Sequence, residues 1–220
     1  YEDSLYVVWL QDPTGKFKQP VATTVAIAPG VLATNATLIL ELQKQVRQNW
    51  TVLVSQIGRD DVVPVNDMLV HGYFPAGRAK YGEGSYQSIL FDLGIIRASD
   101  EFIQSFLDVI DAESYAELST GQDVDLLSVN IADKLQDATE VLNSKFTRGK
   151  LVSFDTLSVD DSAKTPDFSI FEVSGRFPNQ IDGAPLLADG KLLALYSSPF
   201  RISNQVTNEN HLLTAALSLS

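Results

Sequence analysis

Cysteine is absent from the 220 residues, and histidine occurs only twice, as His71 and His211. No disulfide framework, thiol nucleophile or thiolate metal site is therefore available, and any imidazole chemistry must run through one of two side chains. Basic clusters are missing as well. With 16 Lys+Arg against 28 Asp+Glu the formal charge is −12, which repels phosphate and disfavours nucleic acid and anionic membrane as partners. The longest apolar runs, such as 5–10 and 21–28, fall far short of the roughly 20 residues needed to span a bilayer. No cofactor is implied. What is present is a 45% hydrophobic composition, enough for one domain or two small barrels with a shared core. The first residue is Tyr1 and not Met, which suggests processing or a longer parent chain.

Strand signals dominate. Runs rich in Val, Ile, Leu, Thr and aromatics, punctuated by Gly, Pro, Asn and Asp, fall at 4–11, 21–28, 51–56, 68–73 and 89–96, and again at 124–130, 150–154, 168–173, 192–197 and 211–217. Many short strands at this spacing argue for an all-β sandwich or barrel over βαβ units. Two stretches differ. Residues 38–49 carry apolar positions 38, 39, 42 and 46 among Gln, Lys and Glu, which predicts a short amphipathic helix. Residues 100–118 place Phe102, Phe106, Val109 and Ile110 at helical spacing, and are read as a linker with a helical turn or two. The Gly-rich stretch with Tyr73, Phe74, Tyr81 and Tyr86 reads as an aromatic loop folded over its own barrel. Two Asn-X-Ser/Thr sequons, at Asn35 and Asn49, matter only on a secretory route.

Three segments, in order, resemble landmarks of the trypsin-like (chymotrypsin-fold) serine proteases, particularly the cysteine-free bacterial kind. Val25-Ala-Ile-Ala-Pro-Gly-Val-Leu-Ala-Thr-Asn-Ala-Thr37 is similar to that family's strand, turn, strand and histidine block. Phe91-Asp92-Leu-Gly-Ile-Ile-Arg97 resembles the block with the triad aspartate. Asn179-Gln180-Ile181-Asp182-Gly183-Ala184-Pro185 resembles the Gly-Asn-Ser-Gly-Gly-Pro block with the nucleophile. The resemblance implies two packed antiparallel six-stranded β-barrels with a few short helices, divided as 1–110 and 111–220.

The departures shape the expected function. Thr37 stands where the family has its general-base histidine, Asp182 where it has the serine, and only Asp92 matches. In that family's mechanism the hydroxyl attacks, the imidazole moves the proton and the carboxylate orients the imidazole. A threonine hydroxyl is no base near neutral pH, and a carboxylate at 182 opposes a developing oxyanion. Gln180 falls where a glycine would supply an oxyanion-hole amide. Neither His71 nor His211 has the local context of a catalytic base. The resemblance therefore implies a pseudoprotease, not an enzyme, acting as a protein- or peptide-binding or scaffold module. Its peptide edge would lie at Ser197 and Ser198, with Pro199 removing one donor. An extracellular or periplasmic location follows from the same resemblance. The rival reading is a divergent hydrolase or a hard-cation site built on Asp92 and Asp182.

Overall fold

The run Leu5–Gln11 is apolar at all but its last position and nearly all buried, because both faces of that strand are covered. Tyr6, Val8 and Leu10 point into one core. Leu5 and Val7, on the other face, pack with Leu127 and Val129 in a second. This strict alternation between two cores explains a continuous hydrophobic run where a half-exposed strand would alternate with polar residues. The computed structural model describes residues 1–82, 91–129, 144–157, 168–175, 183–204 and 209–217.

Seven strands form the first sheet: β1 (Leu5–Gln11), β2 (Lys18–Ala28), β3 (Val31–Thr34), β4 (Thr51–Gln56), β5 (Val63–Pro64), β6 (Asp67–Val70) and β7 (Gly94–Arg97). Their order is β5-β4-β1-β2-β3-β7-β6. Helix α1 (Ala36–Arg47) follows β3, and α2 (Phe74–Tyr81) follows β6. The second unit is a closed barrel of β8 (Asp123–Val129), β9 (Ser144–Leu157), β10 (Phe168–Gly175), β11 (Pro185–Ala188), β12 (Lys191–Asn204) and β13 (Glu209–Leu217), ordered β10-β13-β12-β11-β8-β9. Every pairing described is antiparallel except the isolated bridge Val109↔Leu192.

The all-β double unit stands, but the strand counts need correction. The second barrel has six strands, whereas the first unit is a seven-stranded open sheet and not a closed six-stranded barrel. Its edges explain why it stays open. β5 is only two residues long and ends in a proline, which has no N–H to donate. At the other edge the Met68 N–H donates to Asp67 Oδ1 at 2.8 Å, and its carbonyl accepts from Gln43 Nε2 at 3.2 Å. Side chains have taken hydrogen-bonding capacity that a further strand would use.

Two further corrections concern the connections. The aromatic loop contains α2, with Phe74 buried at its start and Tyr73 exposed. In the linker the helical face read from Phe102, Phe106, Val109 and Ile110 does not form. Phe106 and Val109 are exposed, while Ile103, Leu107 and Ile110 are buried. The chain between them is non-helical and bonds to both units in turn: Leu107 N–H donates to Ala26 O at 2.9 Å, and Ile110 N–H to Leu192 O at 2.9 Å. A short helix, α3 (Ala112–Ala116), follows, with Asp111 Oδ1 capping Ser114 N–H at 2.8 Å. Lys191 Nζ binds the same carboxylate, and that bond is the chief reason the Asp111 carboxyl is held far below the usual carboxylate range.

The two units meet along a shared apolar seam. Leu5 and Val7 of β1 meet Leu127 and Val129 of β8. Val25 of β2 and Ala33 of β3 meet Leu187 of β11 and Leu192 and Leu195 of β12, with Leu107 of the linker among them. Leu127 is fully buried there. Leu127→Ala is expected to lower the unfolding free energy by about 2–5 kcal/mol, read as a lower urea midpoint.

Candidate functional site

Helix α1 begins without the acidic first turn that usually favours a helix start, although its last turn carries Lys44 and Arg47. Its N-cap residue is Asn35, but the Asn35 side chain makes no capping hydrogen bond. The acid comes from elsewhere in the chain. Thr37 N–H donates to Asp92 Oδ1 at 2.7 Å, so a carboxylate distant in sequence caps the helix and meets the positive end of its dipole. Asn35 Nδ2 reaches the Asp92 carbonyl at 3.4 Å, a second and weaker tie between the same two segments. The structure thus brings Thr37 and Asp92 together. Thr37 is exposed and Asp92 partly buried.

Asp92 is held from its own side by an unusual turn. Leu93 N–H donates to Phe91 O at 2.6 Å, leaving Asp92 as the central residue of a three-residue turn. Phe91 enters that turn at φ +68°, in the left-handed region, with its side chain buried. For a bulky side chain such a conformation costs about 1–3 kcal/mol and persists only where the surroundings fix it. The surroundings here are His71 and Tyr73. The His71 ring stacks on Phe91 with centroids 5.4 Å apart and planes 16° apart, and Tyr73 leans on the same ring at 5.5 Å. His71 N–H also donates to Leu93 O at 2.9 Å. The aromatic grouping beside Asp92 is what sequence reasoning missed. The signal was the pairing of β6 with β7, which carries the residue after β6 back alongside the residues before β7.

The third landmark is placed at its glycine. Gly183 has φ +75°, donates its N–H to Tyr196 O at 2.9 Å, and leaves no room for a side chain. A Cβ there would stand 2.6 Å from Thr23 O, 3.0 Å from Thr34 Oγ1 and 3.4 Å from Asn35 Oδ1. Among the described residues, Thr34 Oγ1 and Asn35 Oδ1 are buried without a hydrogen-bond partner. Gly183 therefore lies immediately beside the start of α1. Asp182 and Gln180 themselves lie outside the described residues. So do the side chains of Ser197, Ser198 and His211, whose backbones belong to β12 and β13. Among the described residues no group of three His, Cys, Asp or Glu is placed to hold a metal ion. The two sequons part company: Asn35 is buried and Asn49 is exposed.

A seven-stranded sheet and a closed barrel packed face to face, with the Thr37, Asp92 and Gly183 landmarks converging where they meet, make this the trypsin-like serine protease fold. Similar solved structures say the same. Rv3671c from M. tuberculosis in an inactive mutant form has a TM-score of 0.55 and 16% identity, covering 97% of this chain and 82% of that one. The Rv3671c protease in its active form has a TM-score of 0.53 and 17% identity, over 97% of this chain and 76% of that one. Deg5 has a TM-score of 0.59 and 13% identity, over 90% and 80% respectively. No protein-family model and no curated protein matches the sequence. The expectation that the chain is not an enzyme is overturned by these neighbours. Two of the three structures are of one protein, described as a protease and solved in an active form, so the fold is one that carries proteolysis.

Asp92→Ala removes the acceptor of the Thr37 amide and is expected to cost about 1–2 kcal/mol of stability. Faster exchange confined to the first turn of α1 would identify the lost cap. Burial holds the His71 imidazole below its ordinary value. The unfolded chain therefore takes up the proton first: this contribution is fully present above about pH 6.5 and declines as pH falls below it. Urea unfolding against pH should show that decline in the native chain, and His71→Phe should remove His71's share of the slope.

Proposed function

We propose that this chain is a protein- or peptide-binding domain of the trypsin-like protease fold, receiving an extended peptide along β12 at Ser197 and Ser198. The observation that supports it most is a break in the strand register. Tyr196 pairs with Thr214 and Arg201 with Leu212, so the four residues 197–200 stand opposite the single residue Leu213. On the other side β11 pairs with β12 as far as Leu195, and among the described residues the backbone bonding ends with Tyr196, which exchanges bonds with Gly183 and Ala184. The extended chain at 197–200 thus has fewer strand partners, among the described residues, than it could accommodate. An added strand satisfies such a segment through main-chain hydrogen bonds. Pro199 contributes no N–H, so the donors there are Ser197, Ser198 and Phe200.

In this reading Thr37, Asp92 and Asp182 occupy the positions matching the family's three catalytic side chains, and Gln180 the position of an oxyanion-hole amide. Residues 1–110 and 111–220 are the two halves of one unit. The location is extracellular or periplasmic; among the described residues no helix is long and apolar enough to cross a membrane. The proteases that share the fold support a peptide as the bound class of molecule.

The test is fluorescence anisotropy with a library of labelled extended peptides. The native chain should bind a subset, and Ser198→Pro, which deletes one backbone donor, should weaken those hits by at least about tenfold, or 1.4 kcal/mol, with circular dichroism unchanged. Absence of binding at millimolar peptide, or equal binding by the proline variant, would sink the reading. The same samples incubated with casein and a fluorogenic peptide report hydrolysis. Cleavage lost in Asp182→Ala makes the chain a working protease and the bound peptide its substrate.

A further inference from the structure

The His71, Tyr73 and Phe91 rings form a closed set, with centroids 5.4, 5.5 and 5.8 Å apart. Phe91 precedes Asp92 directly and is held at a positive φ. A bulky buried side chain adopts that backbone only where packing fixes it, and the stacked imidazole provides a flat face of that packing. Asp92 in turn carries the first turn of α1 through the Thr37 amide. The path from His71 to Thr37 runs through a ring contact with Phe91, the peptide link from Phe91 to Asp92, and the hydrogen bond from the Thr37 amide to the Asp92 carboxylate.

We propose that His71 is a protonation-controlled positioning residue for Asp92, acting through the Phe91 turn. The neutral ring holds Phe91 in its strained conformation and Asp92 on Thr37. The imidazolium draws toward water, leaves the stack, and frees the turn to relax, which lengthens or breaks the carboxylate–amide bond. Burial disfavours the charged ring where it stands. Among the described residues, the titratable and charged groups on the elements around it are Asp67 on β6, Arg97 on β7, Arg78 and Lys80 on α2, Tyr73 in the turn before α2, and Asp92 itself. Burial sets the direction in which the ring is shifted. The arrangement makes the geometry at Asp92 depend on the protonation of His71, on the acid side of the ordinary imidazole range. It stands independently of peptide binding at β12.

The experiment follows the Thr37 amide by nitrogen–proton NMR across a pH series in the full chain, with the His71 ring protons followed alongside. In the native chain the Thr37 resonance and its exchange protection should show an inflection coincident with the His71 titration, separate from any lower step due to Asp92. His71→Phe keeps a flat ring that cannot titrate; it should retain protection near neutral pH within about twofold and lose the upper inflection. His71→Ala removes the ring and should reduce Thr37 protection at least about fivefold throughout. An upper inflection that persists in His71→Phe, a Thr37 resonance indifferent to His71 protonation in the native chain, or full protection in His71→Ala would each overturn the proposal.

Discussion

The apolar seam between the open sheet and the closed barrel is the constraint on which the rest of this molecule depends. β1, β2, β8 and β11 each bury one set of alternate residues in their own unit and the other set against the partner unit, and β12, across its bulge, sends Leu193, Ala194 and Tyr196 into its barrel and Leu192 and Leu195 into the seam. Neither unit can turn its inner strands to water without exposing Leu5, Val7, Val25, Leu127, Leu187 and Leu195 together, at ~25 cal/mol for each Å² of apolar surface. Because β2, β3, β11 and β12 all contribute to the seam, the start of α1 and Gly183 are brought to the same place. The candidate site is a consequence of packing before it is a set of side chains.

At that place the polar groups are tightly arranged and incompletely satisfied. Asp92 serves the helix that begins at Ala36, and Gly183 approaches Thr23, Thr34 and Asn35 so closely that no other residue fits. Among the described residues, two buried oxygens here, on Thr34 and Asn35, lack hydrogen-bond partners. Orphaned buried acceptors and a bulky residue at positive φ both cost free energy, and such costs gather where a fold holds groups for a purpose other than stability. Strain and unsatisfied polarity thus fall in the same three segments that carry the resemblance.

That resemblance was legible because its landmarks are local. A strand, a Pro-Gly turn, a second strand and a helix start occupy consecutive residues, so β2, β3 and α1 could be anticipated closely. The three-residue turn at Phe91 could not. Nothing in Phe91-Asp92-Leu93 signals a left-handed phenylalanine, since the compensation comes from His71 and Tyr73 across the β6–β7 pairing. The linker misled for a related reason. Its spacing of apolar residues fits a helix, but burial against two units kept Ile110 and chose Ile103 and Leu107 over Phe106 and Val109, in a non-helical chain. Tertiary contact overrode periodicity there.

Sequence alone determined the β-rich architecture, the place of α1, and the scarcity of imidazole and thiol chemistry. These depend on residue type and on neighbours along the chain. Tertiary structure decided that the first unit stays open, because its edges are short or hydrogen-bonded by side chains, and that the acid capping α1 is Asp92. It decided as well that His71 lies in the packing around that acid. Each of these turns on contacts between residues 20 or more positions apart, which hydrophobic packing of the whole chain creates and which no local pattern encodes.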